Sequence, residues 1–300
     1  MSIRPTSRVR HGIAGLGLTL LVTVAAPGVV AASAAPPPAA TWSHNPASSI
    51  GPQFWSSLDP AWRECAKADG QSPVVVVSSE VANTALPLLR AEYARTPLLV
   101  ANTGHVLEVP QPNADGGTLV IGTGTYHLRQ WHIHAPAEHV VNRHRADLEI
   151  HLVHSDDTGH TVVLAIFADI VAGKHGKGSA AAASLLRTVL WGAPDTAGEE
   201  ADLHKKTSAA VLLGAGPARF GDNRVTIDKY LTYTGSLTTP PCTGGVGWYL
   251  LPRTVITVNP EDVDQLHELI AAFPGYQGYP DNNRPVQPLG DRIVTSTKGW

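Results

Sequence analysis

Tyr126-His-Leu-Arg-Gln-Trp-His-Ile-His-Ala-Pro-Ala-Glu-His139, with its continuation to His154, decides how this chain folds. Seven of the fourteen histidines fall in this span. Gln130, His132 and His134 alternate with Trp131 and Ile133, so on a β-strand the three polar side chains leave one face. Leu148-Glu-Ile-His-Leu-Val-His154 repeats the alternation and puts Glu149 and His151 on one face. Paired antiparallel, the two strands would bring His151 opposite His132 and His134. Three neutral imidazoles converging there describe a catalytic zinc site with an open fourth position. Gln130 and Glu149 each stand two residues before a ligand, on its own face, where the second ring N–H needs an acceptor. Ordinary core histidines in these places would leave several buried nitrogens without partners, at considerable cost.

Outward from this span, 300 residues with 43% hydrophobic content suffice for one large domain with a substantial core. A formal net charge of −3, with no basic runs in the body of the chain, argues against a nucleic-acid partner. Arg4, Arg8 and Arg10 precede an apolar run from about Ile13 to Ala26, and Ala32-Ser-Ala34 supplies small residues for cleavage. Residues 1–34 are therefore expected to be a secretory signal peptide. The run is short and broken by Gly15, Gly17, Pro27 and Gly28, unlike a membrane anchor, and no later stretch reads as a membrane span. Residues 35–41 read as a Pro/Ala linker and 42–300 as a single domain. The expected product is secreted, periplasmic or extracellular, with no membrane span in the mature chain. Cys65 and Cys242 allow one intramolecular pairing, which an oxidising compartment favours over two free buried thiols.

Along the chain, Pro73 to Ser78, Leu98 to Val109, Thr118 to Gly122 and Gly159 to Phe167 read as strands between Asn, Gly and Pro turn signals. Lys229 to Thr234 and Val246 to Val258 read likewise. Ala180 to Trp191 has helical composition, and Asn259-Pro-Glu-Asp262 is a helix start leading to Ala272. The pattern is a sheet-dominated α+β domain with short peripheral helices. Tyr233-Thr-Gly-Ser-Leu-Thr-Thr-Pro-Pro-Cys242 is a second motif, a rigid loop because its proline pair cannot donate to a strand ladder.

Together these residues resemble the α-class carbonic anhydrases, over nearly all of the chain beyond the signal peptide. The resemblance runs through Gly51-Pro-Gln-Phe-Trp55, Gly70-Gln-Ser-Pro73, Asn102-Thr-Gly-His105 and the histidine strands. It continues through Pro136-Ala-Glu-His139 and the Thr/Pro loop to Asn282-Asn-Arg-Pro-Val-Gln-Pro-Leu289. It implies a largely antiparallel, ten-stranded twisted sheet and zinc-dependent reversible hydration of carbon dioxide by attack of zinc-bound hydroxide. His132, His134 and His151 match the zinc ligands, with Gln130, Glu149 and the backbone carbonyl of Asn282 behind them. Thr238 matches the residue that accepts a hydrogen bond from the nucleophile, and Glu138 its acidic partner. Val153, Val163, Leu237, Thr239 and Trp248 match the substrate wall, and His105 the proton shuttle. The paired Cys65 and Cys242 look like those of bacterial and extracellular members, and cis prolines would fall at Pro73 and Pro241. The departures are Trp42-Ser-His44, where a Trp-x-Tyr is common, Ala137 for a serine, and Gly244 for a glutamate.

Two other readings compete. His132-Ile-His-Ala-Pro-Ala-Glu138 also fits the first motif of a cupin, with Glu138 as a fourth ligand, but no second cupin motif follows and His151 would be unexplained. A non-catalytic carbonic-anhydrase-like binding module usually lacks a metal ligand, and here all three are present.

Overall fold

The alternation seen around His132 recurs along much of the chain and builds a sheet. A computed structural model describes residues 41–111, 116–170, 179–214 and 223–298. The chain divides into residues 1–39 and 40–300, and all described residues belong to the second unit. The expected signal peptide and all of the linker but residue 41 lie outside the described residues. The strands are β1 (Val75–Val76), β2 (Ala82–Thr84), β3 (Leu89–Glu92), β4 (Thr96–Asn102), β5 (Leu107–Pro110), β6 (Thr118–Ile121), β7 (Gly124–His134) and β8 (Val140–Val141). They continue as β9 (Leu148–Ser155), β10 (Thr161–Ile170), β11 (Glu200–Thr207), β12 (Arg224–Ile227), β13 (Leu231–Ser236), β14 (Gly244–Val258) and β15 (Thr295–Thr297). The helices α1 (Trp55–Leu58), α2 (Ser179–Gly192) and α3 (Pro260–Ala271) are short.

Among the described residues, ten strands follow one another in a single path, β11-β4-β5-β7-β9-β10-β14-β13-β15-β2. β6, β3 and β12 branch from β7 and bring the sheet to 13 strands. Pairing along the path is antiparallel except at β10–β14 and β15–β2, so the sheet is the expected largely antiparallel one with a side branch added. Period-2 alternation then separates two chemistries. One face of the central strands carries Leu107, Val109, Trp131, Ile133, Ile150, Leu152, Leu164 and Ile166, all almost fully buried. They join one core with Leu186 and Leu190 of α2 and Leu266 and Ile270 of α3. Each such side chain contributes about 1.5–3 kcal/mol by leaving water. The other face carries the histidines.

The α2 and α3 assignments hold to within a residue or two. Pro260 at the first turn and Glu261 and Asp262 after it start α3, as its sequence suggests. Asp262 is buried and accepts from Arg187 at 2.5 Å and from Trp191 Nε1 at 2.9 Å, fastening α3 to α2. The stretch expected as one strand from Leu98 to Val109 is instead the β4–β5 hairpin. Its turn needs the left-handed φ of +81° at Gly104, and Asn102 Oδ1 accepts from the Gly104 amide at 2.9 Å. Pro73 to Ser78 yields only the short β1 before a 3-10 turn. Pro73 and Pro241 follow cis bonds, and so does Pro136.

Candidate metal centre

Strand register assembles the centre. β7 and β9 pair antiparallel with His132 opposite His151 and Ile133 opposite Ile150, so His132, His134 and His151 share a face. Their ligand-capable nitrogens lie within 4.8 Å of one another. Each ring is held from behind. His132 Nδ1 donates to Gln130 Oε1 at 2.7 Å, His134 Nδ1 to the Asn282 carbonyl at 2.8 Å, and His151 Nε2 to Glu149 Oε1 at 2.7 Å. Those oxygens only accept, so each of these nitrogens carries its ring's proton. His132 Nε2, His134 Nε2 and His151 Nδ1 are left with lone pairs.

The lone pairs supply the test of what the centre can hold. His132 Nε2 and His151 Nδ1 stand 3.3 Å apart with no proton to share, and His134 Nε2 is buried without a partner. Such an arrangement is repulsive alone and attractive around a cation, and three neutral nitrogens are a donor set suited to zinc. Burial, and then the neighbouring imidazoles, holds His132 well below the ordinary imidazole range. Burial also lowers His134. Both rings are thus kept neutral, as metal ligands must be.

Glu149 is fully buried and accepts from the His139 amide, from His139 Nδ1 and from His151, each at 2.7 Å. Burial alone would raise its carboxyl, but His139 and His151 hold it well below the usual range. A buried carboxylate committed to two imidazoles is an acceptor here rather than a ligand. His139 Nε2 in turn meets the Tyr233 hydroxyl at 2.6 Å, which meets Ser72 Oγ at 2.8 Å. This chain of support was not assigned from the sequence. Its only signal was the position of His139 beside Glu138.

Glu138 is also fully buried. Its Oε1 accepts from the Arg284 amide at 2.8 Å, while Oε2 has no hydrogen-bond partner and lies 3.7 Å from His134 Nε2. Thr238 is buried in the loop after β13, but no hydrogen bond joins it to Glu138 in this structure. Arg284, buried beneath them, donates to Gln71 Oε1, Ser72 O and Cys65 O at 2.8, 2.9 and 3.1 Å. Burial pulls its guanidinium down to about 10, which leaves it charged at neutral pH.

The apolar residues form one line across the sheet. Gln130 faces Val153, Val153 faces Val163, and Val163 faces Trp248, two residues along from the His132–His151 pair. Val163 and Trp248 are buried in one cluster, with Val153 and Leu237 packed against it. Thr239 sits half-buried at the bend and accepts from the Cys242 amide at 2.8 Å. Cys242 is bonded to Cys65, so the loop is tied to the N-terminal part of the fold.

His105 lies against Trp42, with rings parallel and centroids 3.8 Å apart, and its Nδ1 is buried without a partner. Burial lowers its imidazole to about 4. It is thus a weaker proton acceptor here than an ordinary histidine. Asn282 links it to the ligand strand, donating from Nδ2 to His105 O and Ile133 O at 3.2 Å and accepting from the Ala135 amide at 2.8 Å. The departure at His44 places a fully buried imidazole edge-on to His134, with Nδ1 2.6 Å from the Tyr276 hydroxyl. At Gly244 a Cβ would meet nothing within 4 Å, so the glycine answers no steric demand.

Residues 50–298 match the eukaryotic-type carbonic anhydrase family. The chain belongs to the α-class carbonic anhydrases. The carbonic anhydrase of Neisseria gonorrhoeae is 32% identical over 243 residues, 81% of this chain and 83% of that protein. The α-carbonic anhydrase of Thermovibrio ammonificans, solved with the inhibitor sulfanilamide, superposes with a TM-score of 0.69 at 30% identity, covering 85% of this chain and 99% of that one. The Photobacterium profundum α-carbonic anhydrase gives 0.66 at 25% identity, covering 85% and 100%. Family membership and the three-imidazole cluster together make this chain a zinc carbonic anhydrase, and set the cupin reading aside. Among the described residues, no helix is long and apolar enough to cross a membrane.

Proposed function

We propose that this carbonic anhydrase hydrates carbon dioxide reversibly with zinc held by Nε2 of His132, Nε2 of His134 and Nδ1 of His151. The three inward lone pairs, each fixed by an acceptor behind its ring, carry the reading. Zinc bound there supplies a Lewis acid that lets water ionise near pH ~7, carbonic anhydrase itself being the standard example of the effect. Val153, Val163, Leu237 and Trp248 offer carbon dioxide an apolar wall, with Thr239 at its edge. Glu138 is pinned at Oε1 by the Arg284 amide, and its partnerless Oε2 is the acceptor a turn of the Thr238 hydroxyl would reach. A hydroxyl that gives its one proton there can only accept from the nucleophile, which would aim it at the substrate. The experiment is carbon dioxide hydration with and without a chelator. Activity that survives complete zinc removal rejects the reading.

Export belongs to the same proposal. The Arg-rich start, the apolar run and Ala32-Ser-Ala34 support it, as does the formed disulfide. Sequencing the amino terminus of the secreted protein, expected near Ala35, checks it.

His105 is proposed to carry the departing proton. Moving a proton from a donor near 7 to bulk water, with hydronium near −2, is uphill by about nine units, or about 12 kcal/mol. That limits turnover to the order of 10⁴ per second. Transfer to an imidazole lowered to about 4 is uphill by only about three units, so His105 remains much the better acceptor. His105→Ala should lower kcat and leave kcat/KM for carbon dioxide nearly unchanged, with imidazole buffer restoring kcat. A loss that imidazole cannot repair, or no loss in weak buffer, removes His105 from the mechanism.

A further inference from the structure

Glu108 is a carboxylate on the metal face that none of the steps above uses. It stands in β5 directly across from His132 of β7. Opposed residues of an antiparallel pair share a face, with Cβ atoms about 5 Å apart. The line across the sheet runs from Glu200 of β11 through Ala101 of β4, Glu108, His132 and His151 to Ala165 of β10. Register therefore puts this side chain beside a ligand.

The other acids of the centre are committed. Glu138 is held at Oε1 by the Arg284 amide, with Oε2 given to Thr238 in the reading above, and Glu149 is held by two imidazoles. Glu108 is half-buried, yet among the described residues its carboxylate makes no hydrogen bond or ion pair. Burial raises its carboxyl through desolvation of the charge. Among the described residues it caps no helix and answers no buried cation, so their packing gives no reason for an acid here. Farther out on the same face Glu200 and Asp202 are exposed, and neither pairs with a Lys or Arg among the described residues.

We propose that Glu108 is a specificity-determining residue of this carbonic anhydrase, whose fixed negative charge disfavours anions at the metal centre, product bicarbonate included, relative to neutral carbon dioxide. The inference rests on the zinc reading above. A carboxylate roughly 8 Å from a bound anion, across an effective dielectric of about 20 to 80, changes that anion's affinity by about 2- to 30-fold. The sign follows from like charges: removing the carboxylate tightens anion binding.

The test is thiocyanate binding to the cobalt(II)-substituted enzyme, followed by its visible spectrum at a pH well above the carboxylate range. Glu108→Gln keeps the size and removes the charge, and should bind thiocyanate about 2- to 30-fold more tightly. Glu108→Asp keeps the charge and should stay close to the unaltered protein. The gap between Glu108→Gln and the unaltered protein should shrink as ionic strength rises from about 0.01 M to about 0.5 M, which a change of shape alone would not produce. Unchanged affinity in Glu108→Gln, a gap indifferent to salt, or Glu108→Asp behaving like Glu108→Gln overturns the proposal. A protein that binds zinc and hydrates carbon dioxide but gives one of those results fails this inference alone. A chain that takes up neither zinc nor cobalt overturns the metal centre and this inference with it.

Discussion

His151→Ala is expected to lose zinc and, with it, carbon dioxide hydration down to the background rate. The substitution removes one of three neutral donors and leaves two lone pairs that cannot enclose a cation. It also strips Glu149 of one of its two imidazole donors, so a fully buried carboxylate loses part of its compensation. Glu149→Ala separates these effects. There His151 keeps its lone-pair nitrogen but loses the acceptor that fixes its tautomer and angle, and His139 loses its anchor. Metal affinity should fall by about 10- to 100-fold, the usual cost of removing such support, without disappearing. Elemental analysis of both proteins after dialysis, beside hydration rates, is the measurement. Full zinc and an unaltered rate in His151→Ala would remove it from the ligand set.

The contrast between these two residues also shows what the sequence could reveal. Alternation placed His132 with His134 on one strand face and Glu149 with His151 on another, because a strand has only two faces, and the expected antiparallel pairing of β7 and β9 joins the two faces. The acceptors at Gln130 and Glu149 were visible for the same reason, being two residues away on the same strand. Nothing local announced Arg284, which reaches Glu138, Gln71, Ser72 and Cys65 from far along the chain. The His139–Tyr233–Ser72 chain joins three segments, and only tertiary packing brings them together. The edge strand β11 gave little hydropathy signal, since none of its residues is fully buried and Glu200, Asp202 and His204 are exposed. His105 was found as a residue but not as an environment. Its stacking depends on the Trp42 ring, from a segment sixty-odd residues earlier, and the burial that lowers its imidazole is set by the packed fold.

Reducing the Cys65–Cys242 disulfide is expected to cost roughly 5 kcal/mol of stability, since it closes a loop of 177 residues of separation. That is a large part of the total for a domain, commonly about 5–15 kcal/mol, and should lower Tm by roughly 10–20 °C. The structure also says where the loosening goes. Cys65 and Cys242 pack in a cluster with Trp55, and Arg284 lies over the Trp55 ring at 5.5 Å. Arg284 donates to Cys65 O, Gln71 donates to Cys242 O at 3.1 Å, and the Arg284 amide holds Glu138. The bond thus braces the loop of Thr238 and the residue that orients Glu138, while the imidazoles are carried by β7 and β9 and meet this path through the Asn282 carbonyl and Ser72. Reduction, or a Cys65→Ser/Cys242→Ser double variant, should therefore depress hydration while zinc content is retained at temperatures below the lowered Tm. Calorimetry with and without reductant gives the first effect, and paired rate and metal measurements give the second. Mass spectrometry of unreduced peptides must show the Cys65–Cys242 link. Two free thiols, a Tm indifferent to reductant, or zinc lost in step with activity would break the connection from disulfide to Arg284 to Glu138.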